Sequence, residues 1–357
     1  MKTITAKAPA RIDLAGGTLD LWPLYLFFEN TATINCAIDQ IATVEIKLGT
    51  ESKIGETPSL EFASGDRGAK HKFKSFGELM ESFQGTHKAV GLPPALWLHA
   101  KVVRHFFAFW RRSAPLSLST FADAPAGAGL GGSSALNIAM CKALQHVTNA
   151  NYTDDEIIGV ARDLETTVIE VPAGIQDYYS ALHGGVQAIR MDAGRVHRKV
   201  FYKQSDFIQS NIVLCYSGHS RNSGINNWAV YKGFIDKNPD IHQAFKEIVK
   251  ATYRVEEALE RLSFEKLVEG INGEWKARQL LAPTIATPDM LAAIEAAKSV
   301  GAVAAKVCGA GGGGCFIVVA PPEKRKPVVE KLQASGVKVI DFKVHAEGCR
   351  VVEATAE

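Results

Sequence analysis

One stretch constrains the fold more than any other: PAGAGLGGSSALNIAM, residues 125–140. Four of the six residues from Gly127 to Gly132 are glycine. Glycine loses the most conformational freedom on ordering, so this segment suits neither a strand nor a helix interior. The run PLSLSTF before it reads as a short strand, and Leu136, Met140, Ala143, Leu144 and Val147 after it follow helical spacing. A strand, a glycine turn and a helix aim unpaired backbone N–H groups at an anion. Gly127, Gly132 and Ser134 fall on the spacing G-x-x-x-x-G-K-[ST], but Ser133 stands where the lysine belongs. Two readings fit. The segment is a phosphate loop whose positive charge comes from elsewhere, with the Ser133 and Ser134 hydroxyls free for phosphate or Mg²⁺. Alternatively it is a serine N-cap behind a flexible turn.

The bulk of the chain narrows the partners. Its 357 residues exceed what one compact core usually carries, which predicts two domains. A formal charge of +2 gives no electrostatic footprint for nucleic acid or an anionic membrane. The richest apolar run, Leu21 to Phe28, is eight residues long, far short of a span of about 18. The N-terminal MKTITAKAPARID has no apolar core of a secretory signal. Six scattered cysteines without C-x-x-C spacing read as buried free thiols, and a cytoplasmic location is expected.

Residues 1–48 alternate apolar and polar positions, as in TATINCAIDQIATVEIKL, and predict β-strands. Residues 50–90 are polar and read as a long irregular connection, and PPALWLHAKVVRHFFAFW predicts a helix. A further helix is expected from Thr153, which forms a capping-box pattern with Glu156, to about Glu170 before Pro172. HGGVQAIRMDAGRV reads as a turn between strands, and composition shifts near residues 195–210. The domains are therefore expected at 1–200 and 201–357. The second half reads strand (NIVLCYS), two or three helices, helix (DMLAAIEAAKSV, with Thr287 and Pro288 at its start), glycine turn, strand (CFIVVA), helix, strand. That order predicts an α+β layer with helices on one sheet face.

Four further segments carry candidate chemistry. In KVCGAGGGGCFIVVA, five of the six residues from Gly309 to Gly314 are glycine, among them Gly311 and Gly312. A plain turn needs one or two, so close packing on a ligand or another backbone is expected. In VARDLETTVIEVPAGIQDYYSALHGG, helical geometry puts Glu165 at the edge of the apolar face and Glu170 nearly opposite. Glu165 can thus enter a cleft, or form a surface ion pair. Asp177 opens a short helix after the Pro172–Gly174 break, as a reacting carboxylate or as a cap. In APARIDLAGGTLDLW, a strand carrying Arg11 leads into Gly16–Gly17, then Asp20 and Trp22. A carboxylate beside an aromatic ring suits sugar recognition, though a β-turn with a core tryptophan explains it too. YSGHSRNSGINNW sets Arg221 and Ser223 just past a strand end, in a loop that binds substrate or merely faces solvent.

Taken in order, these segments resemble the GHMP kinase superfamily over nearly the whole chain. PAGAGLGGSSA resembles the family's phosphate loop, and KVCGAGGGGCF its C-terminal glycine motif. Within the family, RIDLAGGTLD and GIQDYYSALHGG are most similar to the sugar-1-kinase branch, which includes heptose 7-phosphate kinases and galactokinases. The resemblance implies a two-domain α+β fold, with a ribosomal-protein-S5-domain-2-like N-terminal half and a ferredoxin-like C-terminal half. It implies ATP and Mg²⁺, with the phosphates on Gly127, Ala128, Gly129, Leu130, Gly131, Gly132, Ser133 and Ser134. Asp177 matches the catalytic aspartate, Arg11 its basic assistant, and Ser134 and Glu165 the metal ligands. Asp20 matches the sugar-binding aspartate, with Gly17, Trp22, Tyr178, Arg221, Ser223, Gly311 and Gly312 expected around the substrate. Leu19 interrupts the branch's G-G-G-T-D pattern, and Tyr178 replaces the glutamine after the catalytic aspartate. Both departures put an unphosphorylated hexose beside heptose 7-phosphate as the acceptor. The expected protein is a monomer or homodimer acting on a small sugar. A mevalonate-type acceptor, or a silent sugar and nucleotide sensor, are the alternatives.

Overall fold

The computed structural model describes residues 2–51, 57–83, 85, 87–219 and 224–355. The fold is α+β, built on two sheets. The first contains β1 (Lys2–Ala15), β2 (Ala32–Leu48), β3 (Leu60–Ser64), β4 (Ala69–Phe73), β5 (Leu116–Ala122), β6 (Val186–Asp192) and β7 (Arg195–Phe201). The second contains β8 (Ile212–Tyr216), β9 (Ala304–Val307), β10 (Cys315–Val319) and β11 (Lys338–Ile340). A last strand, β12 (Arg350–Thr355), returns to the first sheet and pairs antiparallel with Lys2–Lys7 of β1. A division at residue 200 falls at the end of β7, yet the chain's last strand crosses back.

The first sheet runs β12-β1-β2-β5-β3-β4, with β6 and β7 attached through β2. On the edge away from β1 the long β2 serves two neighbours: residues 42–48 pair with β5 and residues 32–36 with β6. The second sheet runs β11-β8-β10-β9 with every pairing antiparallel. Counted within the second half this is the order 4-1-3-2, the arrangement of ferredoxin-like folds.

Helices α1 (Phe76–Ser82), α2 (Trp97–Phe107), α3 (Gly132–Thr148), α4 (Asp154–Ile169) and α5 (Gln176–His183) belong to the first half. They are followed by α6 (Ser205–Asn211), α7 (Gly224–Ile235), α8 (Pro239–Arg261), α9 (Phe264–Gln279), α10 (Pro288–Lys298) and α11 (Arg325–Ala334). α4 starts on the expected capping box: the Thr153 hydroxyl accepts from the Glu156 amide, and the Glu156 carboxylate accepts from the Thr153 amide. α10 starts on Thr287 and Pro288, as read from the sequence.

Two expectations need correction. The 50–90 region is not simply irregular, since β3, β4 and α1 lie in it. These elements are five to seven residues long and sit at the sheet margin, where the exposed side of Lys70 and Lys72 hides the alternation. β9 also went unread, because Lys306 breaks an otherwise apolar AAKV although the strand is buried throughout. The five cysteines Cys36, Cys141, Cys215, Cys308 and Cys315 are free and buried, and Cys349 is free and half-buried.

What positions the site is β1. Its second half, Ala8–Ala15, is buried on both faces, because α3 and α5 cover one side while α8 and α9 approach the other. Ala10, Ile12 and Leu14 join a core cluster that also takes in Leu214 and Ile317 of the second sheet and Ala128 and Leu130 of the glycine loop. One apolar cluster therefore runs from sheet to sheet past the loop. Arg11 and Asp13, two residues apart, share a face of this buried strand and must find charged partners there.

Candidate active site

The glycine loop leads into α3 through Gly131, whose φ is +70°. A Cβ at Gly131 would lie 3.1 Å from the Asp177 carboxyl carbon, so only glycine lets the helix start pass this close to that carboxylate. Gly129, at φ +75°, faces the Cys308 carbonyl, which a Cβ would meet at 2.6 Å. On the other side a Cβ at Gly309 would lie 3.1 Å from the Gly129 carbonyl oxygen, and one at Gly314 2.7 Å from that of Ala128. The amide of Cys315 donates to the Ala128 carbonyl at 2.7 Å. The two glycine motifs are thus packed backbone to backbone, which explains the length of the second one.

Arg11 joins loop and carboxylate. Its Nε donates to Asp177 Oδ1 at 2.7 Å, NH2 lies 2.6 Å from the same oxygen, and NH1 donates to the Gly129 carbonyl at 2.6 Å. Burial works against the Arg11 charge, but Asp177 and Asp13 outweigh it and hold the guanidinium above its ordinary pKa. Among the described residues no group bonds Asp177 Oδ2. Asp20 lies close by, almost fully buried, and its Oδ2 accepts from the Gln176 amide at 3.0 Å. Burial raises the Asp20 pKa to about 6, against the Gln176 hydrogen bond and helped by the charges of Asp177 and Asp13.

Glu165 is buried, and its partners are hydroxyls. The Tyr178 hydroxyl donates to Oε2 at 2.8 Å, and the nearby Ser133 and Ser134 hydroxyls favour the charged carboxylate. Burial raises its pKa in spite of them. Among the described residues no cationic side chain pairs with it. A buried carboxylate beside serine hydroxyls at a helix start is an all-oxygen donor set, which fits a hard divalent cation held mainly by phosphates and water. No group of three or more His, Cys, Asp or Glu that could hold a metal ion converges among the described residues.

All of these groups open onto one cavity of about 540 Å³. Thr18, Asp20, Gln176 and Asp177 line it, as does the whole loop from Gly127 to Ser134. The hairpin at Ser64–Arg67 and the α2 residues Leu98 and His99 complete it.

Comparison with known proteins settles the family. Residues 98–185 match the GHMP kinases N terminal domain, and residues 255–338 match the GHMP kinases C terminal domain. The chain belongs to the GHMP kinases. It is 24% identical over 357 residues to the D-glycero-alpha-D-manno-heptose 7-phosphate kinase of Campylobacter jejuni, covering 98% of this chain and 99% of the relative. It is 27% identical over 244 residues to the mevalonate kinase of Thermococcus gammatolerans, covering 67% of this chain and 69% of that one. The crystal structure of a D-glycero-D-manno-heptose 1-phosphate kinase from Bacteroides thetaiotaomicron superposes with a TM-score of 0.73 at 21% identity, covering 99% of this chain and 100% of that one. GHMP kinases are phosphotransferases that use ATP. Among the described residues no helix is long and apolar enough to cross a membrane.

The kinase's cavity does not contain every residue expected there. Trp22 is 60% exposed and is not part of the lining, because the turn after Asp20 carries its ring outward. Gly311 and Gly312 fold against the Ile285 backbone, whose carbonyl accepts from the Gly312 amide at 2.7 Å, and stay out of the lining. Gly17 lies beneath the lining, with its carbonyl turned inward to Arg278. Tyr178 does line the cavity, but its hydroxyl is committed to Glu165. Arg221 and Ser223 lie outside the described residues. Glu170, by contrast with Glu165, caps α4 at the surface and pairs with His87 and Lys88.

Sequence reasoning missed four fully buried charges of the kinase: Asp13, Glu274, Arg278 and Lys306. Glu274 and Arg278, four apart on α9, look like an ordinary surface ion pair. The one available signal was Asp13, a carboxylate two residues after Arg11 in the otherwise apolar second half of β1.

Proposed function

We propose that this kinase transfers the γ-phosphoryl group of ATP to the anomeric hydroxyl of a sugar, a heptose 7-phosphate or a free hexose. The observation that carries the reading is the carboxylate pair Asp177 and Asp20. The first stands at the start of α5, fixed by Arg11 of β1, and the second is buried beside it with one oxygen on the Gln176 amide. Two acceptor-only groups at one end of the cavity suit an acceptor rich in hydroxyl donors. They disfavour mevalonate, whose carboxylate they would repel.

In this reading the phosphates lie on residues 127–134, where backbone N–H groups and the α3 N-terminus receive the charge that accumulates on the leaving ADP. Ser134 and Glu165 would hold Mg²⁺, which would neutralise the charge developing on the phosphates. Asp20 fixes a sugar hydroxyl. Asp177 Oδ2 accepts the proton of the anomeric hydroxyl as that oxygen attacks phosphorus in line. Arg11 keeps Asp177 from swinging away, since three of its contacts are already set. The domains in this account are residues 1–200 and 201–357, the second lending β12 to the first.

ADP release measured over free hexoses, sugar phosphates, mevalonate and phosphomevalonate tests the proposal. Turnover with a reducing sugar alone is expected. Turnover with mevalonate and no sugar would contradict it, and ATP binding without turnover of any acceptor would favour a silent sensor.

A further inference from the structure

The chemistry above leaves unused the four buried charges beneath the acceptor loop. Asp13 on β1, Glu274 and Arg278 on α9, and Lys306 on β9 have side chains that are 0% exposed. Lys306 Nζ lies 3.1 Å from Asp13 Oδ2 and 3.4 Å from Glu274 Oε1, and donates to the Asp13 carbonyl at 3.0 Å. Arg278 donates from Nε and NH2 to Glu274 Oε1, at 2.8 and 2.5 Å, and NH2 stands 3.8 Å from Asp13 Oδ2. Two positive and two negative charges close on each other with no net charge. Burial opposes ionisation, but the facing charges outweigh it, holding the Asp13 carboxyl below and the Arg278 guanidinium above their ordinary ranges.

Neutralising charge does not account for the rest of the guanidinium. NH2 also donates to the Gly17 carbonyl at 2.9 Å, and NH1 to Thr18 Oγ1 at 3.4 Å and the Gly309 carbonyl at 3.3 Å. Thr18 sits at φ +77°, a conformation that β-branched residues adopt only when their surroundings impose it. Gly17 is pressed so close that a Cβ would lie 2.4 Å from Asp13 Oδ2. Gly309, held by the same side chain, lies against Gly129 of the phosphate loop. One residue of the second half thus grips the turn that presents Asp20 and the glycine run that supports the nucleotide loop.

We propose that Arg278 is a positioning residue for the acceptor subsite, holding the Gly17–Asp20 turn in its strained form and in register with the phosphate loop. The assignment of that turn to the acceptor rests on the sugar-kinase reading. Lys306 shows that an ammonium can satisfy the buried carboxylates. Only a planar fork reaches the two carbonyls and the hydroxyl as well.

The test is Arg278→Lys, which keeps the charge and removes the fork. Hydrogen exchange followed by mass spectrometry is expected to show faster exchange in peptides covering residues 16–21, with α3 and α5 as protected as in the wild type. Acceptor KM is expected to rise about tenfold or more, the scale of lost hydrogen bonds to a charged group, while the Kd of a non-hydrolysable ATP analogue stays within about twofold. A role only in stability would reduce the folded fraction, lowering kcat and leaving both constants alone. Unaltered exchange at 16–21, or loss of kcat with unaltered acceptor KM, would overturn the proposal. Gly17→Ala keeps all four buried charges but sets a methyl 2.4 Å from Asp13 Oδ2, which forces the turn away from the network, and is expected to give the same split should the Lys variant fold poorly; an unaltered acceptor KM in that variant likewise overturns it. If the wild type turns over no sugar, the acceptor reading fails while the exchange experiment still decides the positioning.

Discussion

Arg11 and Asp177 meet across 166 residues of sequence, with Nε and NH2 of the arginine 2.7 and 2.6 Å from one carboxylate oxygen. Both contacts fall on Oδ1, so the carboxylate is held by one side and presents the other to the cavity. The third arm of the guanidinium ends on the Gly129 carbonyl, which ties the proposed base to the glycine loop. The proposed base and the glycine loop therefore share one anchor on β1.

Asp177→Asn keeps the shape of this arrangement and removes the proton acceptor. We expect kcat to fall by about 10²–10⁴, the range of general-base contributions, with the Kd of an ATP analogue little altered. Steady-state kinetics beside analogue titration check this, and near-wild-type turnover would take Asp177 out of the mechanism.

Glu165→Ala should raise the Mg²⁺ concentration needed for half-maximal rate. Tyr178→Phe should do so by a smaller factor, because it removes only the hydroxyl that orients Oε2. Magnesium titrations at saturating ATP measure both. An unaltered Mg²⁺ dependence in the alanine variant contradicts the ligand role.

The two glycine motifs make a separate prediction. Gly129→Ala introduces a Cβ 2.6 Å from the Cys308 carbonyl at a φ of +75°, a conformation costing an L-residue about 1–2 kcal/mol before any clash. The loop must move, and ATP-analogue affinity is expected to drop about tenfold with circular dichroism unchanged. Equal affinity in the variant would show that the loop contact is incidental.

Asp20 carries the pH dependence. Its carboxyl is displaced from an ordinary 3.8 to about 6, chiefly by burial. If the carboxylate accepts sugar hydroxyls, acceptor KM should fall as pH rises through about 6, and Asp20→Asn should abolish that inflection. Stability runs the other way. A raised carboxyl pKa favours the fold below about 4, and that contribution is lost as pH rises through about 6, a span worth about 3 kcal/mol. Thermal melts of wild type and Asp20→Asn between pH 4 and 7 are expected to converge on the acid side and separate in the variant's favour toward pH 7.

Much of the candidate site was legible because it sits on local signals. The glycine loop, the capping box at Thr153 and the break at Pro172 each announce their geometry within a few residues. Glu165 could be preferred over Glu170 because helical periodicity assigns each side chain a direction. What could not be read was long-range. Trp22 stands two residues from Asp20 yet turns to solvent, because a turn separates side chains that a strand would put on one face. Gly311 and Gly312 answer to backbone packing against Ile285, which no local pattern encodes. Arg278 and Lys306 are placed by charge pairs and backbone hydrogen bonds to distant segments, and the same Lys306 disguised the strand on which it lies.

The central claim is phosphoryl transfer to an anomeric hydroxyl through Asp177, and the product itself tests it most directly. Phosphorus NMR of the product made from ATP and the best acceptor sugar should show a phosphate coupled to the anomeric proton, absent with Asp177→Asn over the same time. Phosphate on any other sugar carbon, or on mevalonate, would contradict the account.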